Sequence, residues 1–241
     1  MNYVFDIDGT LTPSRLPIDK KFEQYFFEWM QDKNVYFVTG SDKDKTIEQI
    51  GERIWKKATR CYQSCGNAVY ENGKLIHQLD FNLDTELTQL LNEFLDRSNW
   101  KFNGDVYSNH IESRIGLINF STIGRSCTQE AREKYYEYDN SVGERKLHCQ
   151  LIEDIFPHLE AAIGGQISID IYPKGMDKSQ VLNIIEQERL VKPDKYIFIG
   201  DRIEGGGNDY PLAKLMNKTD NCSTFQTDGW EHTIQILENL K

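Results

Sequence analysis

The chain has 241 residues, of which 39% are hydrophobic and 27% charged, and a formal net charge of −10 at pH 7. That length buries a real core in one large domain or two small ones. The acidic balance argues against general affinity for nucleic acid or an anionic membrane surface, because no basic surplus draws in a polyanion. No apolar run approaches the length of a membrane helix. The opening Met1-Asn2-Tyr3-Val4-Phe5-Asp6 lacks the basic and apolar regions of a secretory leader, so a cytoplasmic location is expected.

Tyr3-Val4-Phe5 is short, aromatic and β-branched, and reads as a buried strand that stops at Asp6-Ile7-Asp8-Gly9-Thr10. Alternate residues on an extended chain share a face, so the Asp6 and Asp8 carboxylates are expected to converge. Like charges held that close need a cation or a shared proton, and Mg²⁺ is the natural partner for carboxylates at a sheet edge. A calcium loop would want glycine at Leu11 and glutamate at Pro17, and finds neither. The bland alternative is a strand-to-turn junction with solvated aspartates.

Phe22, Tyr25, Phe26, Trp29 and Met30 fall at helical spacing across residues 19–33. Residues 35–38 form an apolar run that ends at Thr39-Gly40-Ser41-Asp42. A helix then carries Ile47, Ile50 and Ile54 on one stripe, with Ser41 or Asp42 as its cap. Strand, helix, strand, helix is the pattern of a parallel sheet with crossover connections. Ligands gather at the carboxyl ends of such strands, where Asp6, Asp8 and Thr39 all lie.

From about residue 82 the character changes. Leu87, Leu90, Leu91, Phe94 and Leu95 make a helix, and residues 104–121 read as a hairpin or strand pair. Ser126 and Gln129 form a capping box for a helix through Tyr138. A further helix spans 143–158. In Ile167-Ser168-Ile169-Asp170-Ile171-Tyr172 the isoleucines take one face, and Ser168, Asp170 and Tyr172 the other. After Pro173 and Gly175 the parallel pattern resumes, with a helix over 178–188, a strand over 196–199, and then Asp201. The chain therefore reads as a core of residues 1–81 and 176–241, interrupted by an α+β module of residues 82–175. Cys61, Cys65, Cys127, Cys149 and Cys222 are scattered. The first two lack a second pair at zinc-ligand spacing, so all five read as reduced thiols.

Asp6-Ile7-Asp8-Gly9-Thr10, Thr39, Lys178 and Gly200-Asp201, in that order, resemble the four motifs of the haloacid dehalogenase superfamily. The eukaryotic-type phosphomannomutase family is resembled more closely. The matching stretches are Leu11-Thr12-Pro13-Ser14-Arg15, Ile123-Gly124-Arg125-Ser126-Cys127-Thr128-Gln129-Glu130, Gly164-Gly165-Gln166-Ile167-Ser168-Ile169-Asp170, Gly175-Met176-Asp177-Lys178 and Gly206-Gly207-Asn208-Asp209. The resemblance implies an α/β fold, a Rossmann-like core with a parallel sheet, and an inserted α+β cap of the C2b type. It also implies a Mg²⁺-dependent phosphomutase that interconverts mannose 1-phosphate and mannose 6-phosphate, activated by a hexose 1,6-bisphosphate.

Residue roles follow from the same resemblance. Asp6 is the expected nucleophile, forming an aspartyl-phosphate, and Asp8 the general acid and base. Thr39 and Lys178 would hold the transferring phosphoryl group. Mg²⁺ would be held by the Asp6 side chain, the Asp8 backbone carbonyl and Asp201, with Asn208 and Asp209 supporting that shell. Arg114, Arg125 and Arg132 on the cap and Arg15 on the core would grip the non-reacting phosphate of a hexose phosphate, joined by Ser168 and Asp170. A homodimer formed through the cap is also implied. Two stretches depart from the family pattern. Thr39-Gly40-Ser41 stands where Gly-Gly-Ser is usual and matches the superfamily's phosphatases, and Ser64-Cys65-Gly66 stands where Glu-Asn-Gly is usual. A sugar-phosphate phosphatase is therefore the alternative activity.

Overall fold

The computed structural model describes residues 1–100, 106–189, 195–204 and 207–240. Gly104 and Gly206, which belong to the expected hairpin and the last motif, lie outside the described residues. The chain divides into two compact units, Met1–Leu79 with Met176–Lys241, and Asp80–Gly175. Among the described residues no helix is long and apolar enough to cross a membrane.

The first unit is built on a seven-stranded sheet of order β11-β10-β1-β2-β3-β4-β5. Its strands are β1 (Asn2–Phe5), β2 (Asn34–Val38), β3 (Arg60–Gln63), β4 (Ala68–Glu71), β5 (Lys74–Gln78), β10 (Tyr196–Gly200) and β11 (Cys222–Gln226). The first three and the last two pair in parallel, while β4 and β5 add an antiparallel edge. Every residue of β1 and β10 is buried, as expected for parallel strands covered on both faces. Tyr3 and Phe5 pack on one side with Phe22, Phe26 and Trp29 of α1 (Lys20–Trp29). Val4 and Phe198 pack on the other side with Val181, Leu182 and Ile185 of α7 (Gln180–Arg189).

The single helix expected after β2 is two, α2 (Lys43–Ile50) and α3 (Glu52–Lys57). Gly51 between them sits at φ +80°, a left-handed conformation that ends the first helix and redirects the chain. Asp42 caps α2 by accepting a hydrogen bond from the Lys45 N–H at 2.8 Å.

The second unit pairs a four-stranded antiparallel sheet, of order β6-β7-β9-β8, with helices that, among the described residues, include α4 (Thr85–Arg97), α5 (Gln129–Val142) and α6 (Glu144–Ile155). The strands are β6 (Ile111–Arg114), β7 (Leu117–Phe120), β8 (Leu159–Gly164) and β9 (Ser168–Pro173). The two-residue period sorts this sheet into faces. Ile118, Phe120, Ile169 and Ile171 pack against Leu87, Leu91 and Phe94 of α4 and Ile152 of α6. Glu112, Arg114, Asn119, Ser168 and Asp170 occupy the opposite face. The cap of α5 is Thr128 and not Ser126: the Thr128 hydroxyl accepts from the Ala131 N–H at 3.2 Å, while the Ser126 hydroxyl is held by Ser108. Starting the helix at Gln129 puts the residue that bonds its first turn immediately before it.

A buried ion pair ties α5 to α6. Arg145 Nε donates to Asp139 Oδ2 at 2.8 Å and its Nη1 to the Gly165 carbonyl at 2.9 Å. Beside it, His148 stacks flat on Phe94 with ring centroids 4.0 Å apart, and its buried Nδ1 has no hydrogen-bond partner. Burial pushes the His148 imidazole below the ordinary histidine range, against the opposing pull of the Glu144 and Asp139 carboxylates. A folded state that resists this proton keeps its full stability above the unfolded-chain value, about 6.5, and loses it as the pH falls through that range. Urea unfolding should therefore show a loss of stability between pH 7 and pH 5 that shrinks in His148→Phe. An undiminished slope in the variant would assign the loss to other groups.

Candidate active site

The carboxyl ends of β1 and β10 deliver the first two carboxylates. These strands pair in register, Phe5 against Ile199, so Asp6 and Asp201 leave neighbouring strand ends. Asp6 is 2% exposed. Its Oδ1 accepts a hydrogen bond from Lys178 Nζ at 2.5 Å, and the same ammonium donates to Asp209 Oδ1 at 2.6 Å. Lys178 lies in the turn before α7 and is 1% exposed, not the solvated helix-start lysine its position would allow. Asp209 begins α8 (Tyr210–Met216), and its Oδ2 accepts from the Arg202 N–H at 3.2 Å.

Asp6, Asp201 and Asp209 each place a carboxylate oxygen within 4.8 Å of the others. Three carboxylates thus face one ammonium. The effects on ionisation follow from that imbalance. Burial first, then Asp209, pushes Asp6 up to about 8 despite Lys178. The same two causes push Asp201 up to about 6. Burial works against the Lys178 ammonium, but Asp209 and Asp6 outweigh it and hold the group above the ordinary lysine value. Asp6 Oδ2 and Asp201 Oδ1 are buried without any hydrogen-bond donor. Orphaned anionic oxygens of this kind fit a hard divalent cation, which supplies the missing charge and takes oxygen ligands. Asp209, with both oxygens already bonded to N–H groups, fits a supporting place behind them. Asn208 is exposed and makes no hydrogen bond among the described residues.

Asp8 lies beyond the end of β1 at Phe5, in the turn that follows. The Asp8 Oδ1 accepts from the Arg15 N–H at 2.6 Å and from Gln49 Nε2 at 2.9 Å. The Arg15 backbone adopts φ +63° as it points its N–H at Asp8, an outlier of the kind that gathers at functional sites. Gly9 sits at φ +80°, and a Cβ there would overlap the Asp201 carboxylate, so only glycine lets the turn pass. Thr39, buried at the end of β2, accepts from the Ser41 N–H at 3.1 Å through its hydroxyl, and its carbonyl accepts from the Cys65 N–H at 2.8 Å. The Arg15 side chain is exposed on this same unit.

On the second unit, Arg114, Arg125, Ser168 and Asp170 are gathered on the polar face of the sheet. Arg125 Nη1 donates to Asn119 Oδ1 at 2.6 Å and to Ser168 Oγ at 3.1 Å, and Asn119 Nδ2 donates to Asp170 Oδ1 at 2.5 Å. Arg132 projects from α5, half-buried, with no side-chain partner among the described residues.

The family model for eukaryotic phosphomannomutase matches residues 22–240. The chain belongs to that family. It is 32% identical over 242 residues to the phosphomannomutase of Oryza sativa subsp. indica, covering 97% of this chain and 94% of that protein. It is 34% identical over 217 residues to the phosphomannomutase of Encephalitozoon cuniculi (strain GB-M1), with 87% and 83% covered. A haloacid dehalogenase-like hydrolase from Bacteroides thetaiotaomicron has the same fold, with a TM-score of 0.64 at 13% identity over 99% of this chain and 98% of that one. An α/β core interrupted by an inserted α+β unit, in a member of the phosphomannomutase family, is thereby established.

Three residues near these groups escaped the reading of the sequence: Gln49, Glu112 and Asn119. The only trace of Gln49 is a polar residue on the buried side of α2, next to Thr46 and Ile50, and nothing in the sequence says what it meets. The charge imbalance around Asp6 has a direct consequence for stability. Lys178→Met should lower the unfolding free energy by about 3–5 kcal/mol in metal-free buffer, the cost of stripping one partner from a buried ion pair. Adding Asp209→Asn should recover part of that loss in urea titrations. A loss below about 1 kcal/mol, the level of a surface pair, would show that the carboxylates find another counter-charge.

Proposed function

We propose that this chain is a Mg²⁺-dependent phosphomannomutase that interconverts mannose 1-phosphate and mannose 6-phosphate, primed by a hexose 1,6-bisphosphate. The observation that carries the reading is Asp6, buried at a strand end, one oxygen held by Lys178 and the other without a donor. A buried carboxylate whose orientation is fixed by a lysine is held ready to attack a phosphoryl group. Asp6 attacks phosphorus, the bond from phosphorus to the sugar oxygen breaks, and the sugar oxygen takes its proton from Asp8. In the return step Asp8 removes the proton from the incoming hydroxyl, and that oxygen displaces Asp6 from phosphorus.

The two N–H donors on Asp8 Oδ1 leave Oδ2 as the oxygen that carries this proton. Lys178 and the Thr39 hydroxyl would stabilise the transferring phosphoryl oxygens. Asp6, Asp201 and the Asp8 carbonyl would hold Mg²⁺, supported by Asp209 and Asn208, and the ion would neutralise phosphoryl charge. Arg114, Arg125 and Arg132, with Ser168, Asp170 and Arg15, would grip the distal phosphate and the sugar. Exposed Val142, Leu147 and Ile155 support self-association through the cap as a homodimer. The acidic balance supports a small-molecule substrate over a nucleic acid.

A sugar-phosphate phosphatase is the second reading, favoured by Thr39 where the family usually has glycine. Incubation of mannose 1-phosphate with Mg²⁺ and glucose 1,6-bisphosphate, followed by phosphorus NMR, separates the two. Mannose 6-phosphate is expected; free phosphate alone would place the chain with the hydrolases, and no turnover would sink both. Asp6→Asn should abolish the phosphoenzyme seen by intact-mass spectrometry, and persistence of that species would move the nucleophile elsewhere. Arg125→Ala should weaken mannose 6-phosphate binding by about 1.5–3 kcal/mol, the range for a charged hydrogen bond, as read by calorimetry.

A further inference from the structure

Glu112 and Asn119 stand directly opposite each other on β6 and β7, and Asn119 stands opposite Asp170 on β9. The three form one cross-strand row on the polar face of the cap sheet. Glu112 bonds both neighbouring guanidinium groups. It takes Arg114 through Nε at 3.0 Å and Nη2 at 3.2 Å, and Arg125 through Nε at 2.6 Å. In each case the carboxylate occupies the Nε edge, the side next to the stem.

Asn119, 2% exposed, then fixes Arg125 from a second direction through Nη1 and passes its own amide N–H to Asp170. Two guanidinium groups drawn to one place repel each other, and a shared carboxylate offsets that repulsion. The Arg114 hydrogen bond above all holds the Glu112 carboxylate below the ordinary range, so it is ionised at neutral pH. Planar groups held at two points lose their rotational freedom before any ligand arrives. Gly164, across from Ser168, leaves room for this arrangement: a Cβ there would come within 2.6 Å of Asp170 Oδ2.

We propose that Glu112 and Asn119 are positioning residues of the cap's anion grip, setting the planes of Arg114 and Arg125 for a phosphate that they themselves do not touch. The proposal rests on the reading that this face holds the distal phosphate of a hexose phosphate. A carboxylate beside an anion site has an opposite alternative, in which Glu112 competes with the phosphate for the arginines. The Nε-edge geometry favours positioning, because the remaining N–H groups of Arg114 make no hydrogen bond among the described residues.

The sign of one substitution separates the two. Calorimetric titration of the full chain with mannose 6-phosphate should show binding about tenfold weaker in Glu112→Gln. That loss should shrink in an Arg125→Ala background, since the two side chains act as a unit. KM should rise more than kcat falls. Glu112 is 44% exposed, so its replacement leaves the fold intact; Asn119→Ala, checked by its melting curve, provides a second arm and should weaken binding in the same way. Weakened binding in Arg125→Ala with unchanged or tighter binding in Glu112→Gln would overturn the positioning role alone. Unchanged binding in both variants would remove the phosphate grip itself.

Discussion

The arrangement of the core depends on one buried ammonium. Lys178 bonds Asp6 and Asp209 at once, while Asp201 adds a third carboxylate within reach. One ammonium among three carboxylates in a site of low dielectric leaves a deficit of positive charge unless a proton or a cation is added. It is tolerable because parallel strands bring the carboxylates in on rigid ends and the close-packed residues beneath them leave no room to spread. A deficit of this kind suits a divalent cation that takes oxygen ligands.

Asp6 and Asp8, two residues apart, sit in different surroundings. Asp6 is fixed by a side-chain ammonium arriving from far along the chain. Asp8 is fixed by a backbone N–H that reaches it through a strained turn at Arg15 and by an amide on α2. One carboxylate sits in a charge cluster and the other in a hydrogen-bond cradle. Environments that differ in this way let a pair of identical groups divide nucleophilic and proton-transfer work.

Much of this was legible beforehand, for identifiable reasons. The strand ends at Asp6, Thr39 and Asp201 show in short apolar runs, because a buried parallel strand has no polar face to hide its period. The polar face of β9 shows in a clean two-residue alternation. What stayed hidden depends on distance in the chain. Gln49 meets Asp8 across 41 positions, and Asn119 meets Asp170 across 51, contacts that no local pattern encodes. The break at Gly51 and the shift of a helix cap from Ser126 to Thr128 were missed for another reason. Several residues there satisfy the local rules, and tertiary packing chooses among them.

The two units treat charge in opposite ways, and the contrast bears on how an acidic protein handles phosphate. With a net charge of −10, its average field repels the ligand, but exposed charges are screened beyond about 8–10 Å in physiological salt. Recognition must therefore come from local arrangement. The core gathers three carboxylates around one ammonium, an excess that a proton or a cation can balance. On the cap sheet Glu112 ion-pairs with both Arg114 and Arg125, so the two guanidinium groups do not create a strong positive patch. A patch of that kind would hold any anion. A neutralised pair of guanidinium groups favours an anion by shape more than by charge.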